Sequence, residues 1–282
     1  MNLQKTRSFL RQNFIFYLVG TLIVLGIKYY YSQADCDSLL WILAPTTHWV
    51  ELLSGIPFTY ISGTGYVNHS LRLLIAPSCS GVRFMIITIA MLIFSFVHII
   101  ASPKKSPDLK TSLRVMRGLG WTAVSIAFSW LFTVFVNGLR IITAIYLPLY
   151  LDRADLMKGP LTADRLHTMI GVVVYFIALL TLYRLAAYLI QKRSGSTEQT
   201  VNTNQSPEAC RKQFLTIFAR KCIPPAFWYF FMTVGLPFLN RAYQNGTAKF
   251  MEYVVLITCC LAFVLLPYCF LMLLNSRKRG KE

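Results

Sequence analysis

The 282-residue chain has few charged residues, and acidic residues are especially scarce. Only 14% of its residues are charged and only 11 are Asp or Glu, whereas 55% are hydrophobic. A soluble domain of this size carries more charge on its surface. The composition therefore argues against a soluble fold and indicates a chain that folds largely in lipid.

Several motifs that would define other functions are also missing. The sequence contains no internal repeat, no heptad pattern and no Gly-rich phosphate loop. Its seven cysteines include no C-x-x-C pair and no Cys/His grouping at metal-ligand spacing, which argues against a zinc site or a dithiol redox centre. The long apolar runs contain almost no acids, which disfavours a transporter.

Apolar runs of membrane-spanning length are what the sequence does contain. About 20 residues are needed to cross the roughly 30 Å of hydrocarbon in a bilayer. Such runs predict an all-α, polytopic integral membrane helical bundle whose first helix is retained as a span. The six predicted spans are residues 14–31, 82–100, 119–136, 168–190, 223–239 and 253–274.

The net charge of +17 is distributed unevenly between the two sides of the predicted membrane. With an inside N-terminus, the cytoplasmic segments carry 18 Lys and Arg and the external segments carry 7. Because cytoplasmic loops retain basic residues, both termini are predicted to be cytoplasmic. The predicted partner of this charge is the lipid bilayer and not a nucleic acid. Arg184, inside the fourth span, is interpreted as a residue whose long side chain reaches the interface.

Two apolar stretches and one polar segment interrupt the pattern of spans. Residues 36–56 and 141–151 are interpreted as interfacial or re-entrant segments that would wall an external cavity, and a membrane crossing is left open. Residues 193–210, which are rich in Ser, Thr, Asn and Gln, predict a flexible cytoplasmic linker. The linker would join a core of residues 1–192 to a two-helix membrane appendage, residues 211–282, without an assigned role.

Cys79 stands at the predicted beginning of the second span. In the segment APSCSGVRF a Pro-Ser pair breaks any preceding helix, and Ser80 and Gly81 open the next one. The N–H groups of a helix N-terminus carry partial positive charge, which favours a thiolate and can bind an oxyanion. Arg83 would strengthen this field or anchor the helix at the membrane edge. Cys79 is therefore the candidate nucleophile.

Two further reactive residues adjoin spans on the same predicted face. His167 just precedes the fourth span, where a helix N-terminus keeps the imidazole neutral and able to exchange protons near pH 7. Arg140 directly follows the third span, where its planar guanidinium could hold a carbonyl oxygen, and Asn137 is a candidate helper one turn earlier. Together with Cys79 they are the groups that thiol-based acyl transfer requires.

These residues lie in three short blocks that resemble the signature blocks of the exosortase and archaeosortase family of membrane transpeptidases. The blocks are CSGVR at 79–83, NGLRI at 137–141, and His167 four residues before Gly171. The likeness covers roughly residues 13–190 and is greatest to the compact exosortase K type. Residues 211–282 depart from the minimal family pattern.

The resemblance implies a cysteine peptidase and transpeptidase with Cys79 as nucleophile, Arg140 as transition-state stabiliser and His167 as proton shuttle. Its substrates would be exported proteins whose C-terminal sorting signal combines a short motif, a membrane helix and a basic tail. Cleavage would occur on the extracytoplasmic side of a prokaryotic plasma membrane, followed by transfer to a cell-surface glycan or lipid acceptor. No metal and no organic cofactor is implied. The supporting residues would be Ser80, Gly81, Arg83 and Asn137.

Two other classes of function stay open. A membrane thiol-redox protein would join Cys36 and Cys79, the two outward-facing cysteines, in a disulfide. A non-enzymatic scaffold or transporter would place charged or Gly/Pro-broken positions deep in several spans. Mass spectrometry of alkylated, unreduced protein separates the first class from the peptidase, because only the peptidase requires a free Cys79.

Overall fold

The structure, a computed structural model, describes residues 3–101, 111–153, 162–194 and 207–279. The chain divides into two compact units, Met1–Ala163 and Asp164–Glu282, and each is described by itself. Within the described residues six helices are long and apolar enough to cross a membrane, which confirms the predicted all-α polytopic bundle. These candidate spans are Arg11–Gln33, Pro77–Ala101, Thr111–Leu151, Arg165–Arg193, Gln213–Leu239 and Thr247–Leu274.

The first unit contains four helices and a small sheet in its described part. The helices are α1 (Leu3–Gln33), α2 (Leu40–Ser54), α3 (Val82–Ala101) and α4 (Thr111–Arg153), with 3₁₀ turns at Asp37–Leu39 and Pro77–Cys79. An antiparallel sheet in the order β1–β2–β3 joins α2 to α3, and its strands are Thr59–Ile61, Gly65–Asn68 and Leu73–Ile75. The span pattern predicts no strand here, so the sheet is an addition to the predicted fold.

Helix α3 forms the centre of the first unit because its side chains are apolar on every face. It is buried along most of its length, and both α1 and α4 pack on it. The indole Nε1 of Trp121 on α4 donates to the Leu92 carbonyl of α3 at 3.1 Å. Arg114, near the start of α4, donates to the Gln12 carbonyl and to the Asn13 side chain of α1. Polar bonds therefore fix how three largely apolar helices align.

Helix α4 is longer than the sequence predicts. The third predicted span ends at 136 and residues 141–151 are interpreted as a separate segment, but the two form one helix of 43 residues. This boundary is wrong because neither Pro148 nor the polar residues around Arg140 interrupt the helix. At 1.5 Å per residue the helix is about 64 Å long, about twice the thickness of the hydrocarbon. Arg140 therefore lies inside a helix and not after its end.

Helix α2 covers most of residues 36–56, the first of the two apolar stretches, and runs beside the second half of α4. Its 15 residues are too few for a span. Trp49 packs against Gly138, where a Cβ would stand 2.4 Å from the indole Cδ1. Further along both helices, the Tyr146 hydroxyl donates to the Ser54 carbonyl at 3.4 Å. The two helices are therefore parallel, and α2 lies next to the Asn137–Arg140 turn.

The second unit contains three long helices in the part of the chain that is described. Helix α5 spans Ala163–Ser194, α6 (Pro207–Phe230) continues through a π-helical turn (Phe231–Gly235) into α7 (Leu236–Leu239), and a 3₁₀ turn (Ala242–Asn245) leads into α8 (Thr247–Arg279). The ring centroids of Phe176 on α5 and Tyr229 on α6 are 5.7 Å apart. Helix α5 thus packs with the C-terminal helices of its own unit.

The division between the units falls at the beginning of α5, whereas the predicted linker follows this helix. Residues 195–206 of that linker lie outside the described part of the chain, while its ends belong to α5 and α6. The separation of a core, 1–192, from an appendage, 211–282, stays a prediction.

Gly138 and Gly120 form a matched pair for testing the packing of α2 on α4. Nothing lies within 4 Å of a Cβ built on Gly120, in contrast to the close approach of Trp49 to Gly138. We expect Gly138→Ala to lower stability by about 1–3 kcal/mol through overpacking. Gly120→Ala should leave stability unchanged or raise it, because alanine favours helix. Tryptophan-fluorescence thermal unfolding in detergent measures both, and equal midpoints would contradict the α2–α4 contact.

Candidate functional site

Cys79 lies in a tight turn between the sheet and α3. Its N–H donates to the Ala76 carbonyl at 2.8 Å, and the Ser80 N–H donates to the Pro77 carbonyl at 3.1 Å. Helix α3 begins at Val82, so Cys79 stands three residues before it. The two N–H groups nearest the thiol are thus bonded within the turn.

Gly81 allows this turn to approach α4 closely. Its φ of +76° lies in the left-handed region, which favours glycine. A Cβ at this position would stand 2.9 Å from Cγ of Asn137 and 3.0 Å from Cγ2 of Thr133. Ser80, the residue before it, is completely buried. The CSG part of the first sequence block therefore has a local structural reason, which is docking on α4.

Asn137 joins the Cys79 turn to α4. Its Nδ2 donates to the Cys79 carbonyl at 2.6 Å, and the residue is completely buried. Leaving such a carbonyl unpaired in the interior costs about 1–3 kcal/mol. The structure thus brings the predicted helper into direct contact with the predicted nucleophile.

Arg140 lies one turn beyond Asn137 on the same face of α4. Residues three apart on a helix are neighbours, and Arg140 is only 8% exposed. A guanidinium buried to this extent needs polar surroundings. Arg140 therefore belongs to the face of α4 on which the Cys79 turn packs. Arg83, in the first turn of α3, is by contrast exposed.

The buried face of α4 is polar for much of its length, which the sequence interpretation missed. Three hydroxyl residues precede Asn137 at four-residue intervals, and two more lie buried on α2. Their hydroxyls have no hydrogen-bond partner among the residues that the structure describes. Buried hydroxyls of this kind favour a polar ligand or water in the site. The residues are Ser125, Ser129 and Thr133 on α4 and Thr46 and Thr47 on α2.

His167 belongs to the second unit. Helix α5 begins at Ala163, so His167 lies in the second turn of the helix and not just before it. Its side chain is exposed. The convergence of His167 with Cys79 and Arg140 stays a prediction, since the first unit holds the other two residues.

An acidic residue outside the predicted site holds the sheet that leads to Cys79. The Asp37 carboxylate accepts hydrogen bonds from the Tyr60 hydroxyl, from Ser62 Oγ at 2.9 Å and from the Gly63 N–H at 3.1 Å. These bonds lower the pKa of Asp37. The bond to Asp37 is also the main reason that the pKa of Tyr60 is raised to about 12. Asp37 thus ties β1 and the following turn to the start of α2.

Cys36 and Cys79 are both free thiols in the structure, so the disulfide of the redox alternative is not formed. Cys36 is only 2% exposed, and burial raises the pKa of its thiol. A raised pKa keeps Cys36 protonated and makes it a poor nucleophile. Among the described residues no group of three or more His, Cys, Asp or Glu could hold a metal ion.

The fold and site define a polytopic membrane protein in which a turn that bears a free cysteine packs on a buried polar helix face. No protein-family model, no curated protein and no solved structure matches the chain. The three sequence blocks, the bond between Asn137 and Cys79 and the burial of Arg140 are the features that bear on function.

Gly81 and Gly63 separate backbone strain from contact with α4. Both have positive φ, +76° and +72°, but nothing lies within 4 Å of a Cβ on Gly63. Alanine at either position adds about 1–2 kcal/mol of strain, and only Gly81→Ala must also displace Asn137. We expect Gly81→Ala to lower the thermal midpoint further and to speed maleimide labelling of Cys79, followed by peptide mass spectrometry. The docking would be refuted if the two variants behaved alike.

Asp37→Asn tests the bonds that hold the sheet. Because the pKa of Asp37 is lowered, its stabilisation is present above the ordinary value of 3.8 and is lost as pH falls through the lower folded value. Because the pKa of Tyr60 is raised, its stabilisation is present below 10 and is lost as pH rises through about 12. We expect hydrogen exchange in residues 59–68, corrected for intrinsic rates, to accelerate at both extremes in the wild type.

In Asp37→Asn exchange in this segment should be fast at every pH and show no acid transition. Asp35→Asn is the matched control, because Asp35 bonds the Ser38 N–H and not the sheet. An acid transition that persists in Asp37→Asn would mean that another group holds the sheet.

Proposed function

We propose that the protein is a membrane-embedded cysteine peptidase and transpeptidase that cleaves the C-terminal sorting signal of exported proteins. The observation that carries the proposal is the hydrogen bond from Asn137 Nδ2 to the Cys79 carbonyl. It joins two of the three blocks that resemble exosortase signatures, although 58 positions separate them in the chain. A contact between the blocks is what a shared site requires.

Cys79 supplies the nucleophile. Its proton passes to the neutral imidazole of His167, and the thiolate sulfur attacks the substrate carbonyl carbon. A C–S bond forms while the carbonyl π electrons move to oxygen. Of the two cysteines in the described part of the first unit, Cys79 is half-buried and Cys36 is almost inaccessible. This difference supports Cys79 as the thiol that a peptide can reach.

Arg140 stabilises the resulting oxyanion. The N–H groups of Cys79 and Ser80 are bonded within their turn, so the stabilising donors must come from elsewhere. The candidates are the Arg140 guanidinium and the first-turn N–H groups of α3. A positive charge acts strongly in such a place because burial lowers the local dielectric constant. The buried hydroxyls of Ser129 and Thr133 on the same face of α4 are further candidates for binding the peptide.

The oxyanion electron pair re-forms the carbonyl, the C–N bond breaks, and His167 returns its proton to the departing amine. This leaves a thioester on Cys79 and releases the membrane helix of the sorting signal. An acceptor hydroxyl or amine on a cell-surface glycan or lipid attacks the thioester, the C–S bond breaks, and the thiol re-forms. Water in place of the acceptor gives hydrolysis.

The site is proposed to face the outside of a prokaryotic plasma membrane. The basic residues of the connecting segments support cytoplasmic termini, since 18 lie on one predicted side and 7 on the other. A substrate whose sorting motif immediately precedes its membrane helix would then present the motif at the level of Cys79.

The test follows processing of a co-expressed candidate substrate by gel mobility. Candidates are exported proteins encoded near this gene that share a C-terminal motif, a membrane helix and a basic tail. We expect Cys79→Ala and Cys79→Ser to abolish processing. Arg140→Ala should slow it about 100- to 1,000-fold, as for loss of an oxyanion donor. His167→Ala should slow it about 100- to 10,000-fold, as for loss of a general acid and base.

Two matched controls accompany these variants. His69→Ala removes an exposed histidine next to the sheet and should leave processing unchanged. The Cys36→Ser variant should also process the substrate normally. The redox alternative predicts instead that this variant is as inactive as Cys79→Ser. Normal processing by Cys79→Ala would end the peptidase proposal.

A further inference from the structure

A groove on the second unit combines a single cation with largely apolar walls. It lies between α5 and α8 and has a volume of about 310 Å³. Ile177, Leu180, Phe263 and Pro267 are among its apolar lining residues, and Arg184 is its one charged residue. An arginine in such surroundings on a membrane-spanning helix favours an anionic ligand.

Arg184 is oriented by a stack of aromatic rings. Its guanidinium carbon lies 5.1 Å from the ring centroid of Tyr268 on α8. The Tyr268 ring in turn packs on Phe218 of α6, with 6.2 Å between centroids. A cation–π contact positions a guanidinium without neutralising its charge. The charge therefore remains available to an anion in the groove.

The distance of Arg184 from a second charged site indicates its depth in the membrane. Arg165 and Glu252 form an ion pair at the other end of α5 and α8, with 2.6 Å between Nη2 and Oε1. Arg184 lies 19 positions after Arg165, about 28 Å along the helix. This is close to the hydrocarbon thickness of about 30 Å. Because charges avoid the hydrocarbon, the two sites lie near opposite interfaces.

Further cations lie at the level of Arg184. The Tyr183 hydroxyl donates to the Arg220 carbonyl at 3.4 Å, which places Arg220 of α6 beside this turn of α5. Lys221 follows Arg220 directly in α6. Glu252 is the acidic residue among the side chains that the structure describes in this unit, and it lies at the opposite interface. Arg184, Arg220 and Lys221 therefore lie at the same end of the described helices.

We propose that the groove binds one anionic phospholipid, with the phosphate on Arg184 and an acyl chain along the walls towards Ile177 and Phe263. Charge complementarity carries this assignment, because lipid phosphates are the anions present at this depth. Basic pockets between membrane helices bind such headgroups. Ile177 lies seven residues from Arg184 towards the middle of the span, about 10 Å away, which is the direction that an acyl chain takes from its phosphate. The binding is independent of the chemistry of Cys79.

The test is lipid retention by the full-length protein in native mass spectrometry. The protein is purified in detergent containing equal amounts of phosphatidylglycerol and phosphatidylcholine of matched chains. We expect the wild type to retain phosphatidylglycerol about fivefold over phosphatidylcholine, the effect of one basic residue on an anionic lipid. Arg184→Gln should lower this ratio to about one. Lys192→Gln, which removes a cation from the last turn of α5 outside the groove, should lower the ratio less than Arg184→Gln does.

Each arm has an outcome that overturns the proposal. Equal retention of the two lipids by the wild type would do so without any variant, and so would an unchanged ratio in a folded Arg184→Gln protein. Displacement of phosphatidylglycerol by 10 mM inorganic phosphate, roughly the concentration that a weak free-anion site needs, would reassign the groove to free phosphate. Tryptophan fluorescence on heating establishes that the variants are folded.

Discussion

The hydrogen bond between the Asn137 amide and the Cys79 carbonyl is the contact on which the candidate site depends. It fixes the turn that bears the thiol to the buried polar face of α4. Gly81 makes the contact sterically feasible, and Asp37 holds the sheet from which the turn emerges. Without this bond the orientation of Cys79 relative to α4 would not be fixed. With it, the turn that bears Cys79 packs on the buried face of α4 that also carries Arg140 and a row of hydroxyls.

The first unit shows how helices associate when lipid surrounds them. Lipid tails are as apolar as leucine, so close packing and polar bonds between helices must supply the specificity. Glycines receive large side chains at three helix contacts: Gly20 faces Ile93, Gly118 faces Phe16, and Gly138 faces Trp49. Arg114 and Trp121 add hydrogen bonds between the same helices. The same close packing that stabilises the bundle places α2 against the Asn137 turn.

Composition and the lengths of the apolar runs were sufficient to predict six membrane-spanning helices, because both are short-range properties. The continuity of α4 was not predictable in this way. Asn137, Gly138 and Arg140 look like the end of an apolar run, but the helix continues because its backbone bonds are internal and its polar side chains face the interior. A four-residue spacing of Ser125, Ser129 and Thr133 was the available signal for this face.

The sheet was not predicted, and the polar segment 193–210 does not coincide with the division between the two units. Aromatic and β-branched residues on both sides of Gly63 and Gly65 are a hairpin signal, but the apolar composition of the chain favoured helix throughout. The polar segment 193–210 marked a break in composition, whereas packing of Phe176 on Tyr229 associates α5 with the helices that follow it. Long-range packing of this kind leaves no trace in local composition.

The length of α4 has a geometric consequence for the bilayer around it. Membrane helices tilt by up to about 40° from the bilayer normal, and a rod of about 64 Å at that angle still rises about 49 Å. The hydrocarbon is about 30 Å thick, so no common inclination can submerge the whole helix. At least one end of α4 must emerge among headgroups and water. The interface between hydrocarbon and water therefore crosses α4 part of the way along the helix. Some side chains of this one helix lie in hydrocarbon, and others lie among headgroups and water.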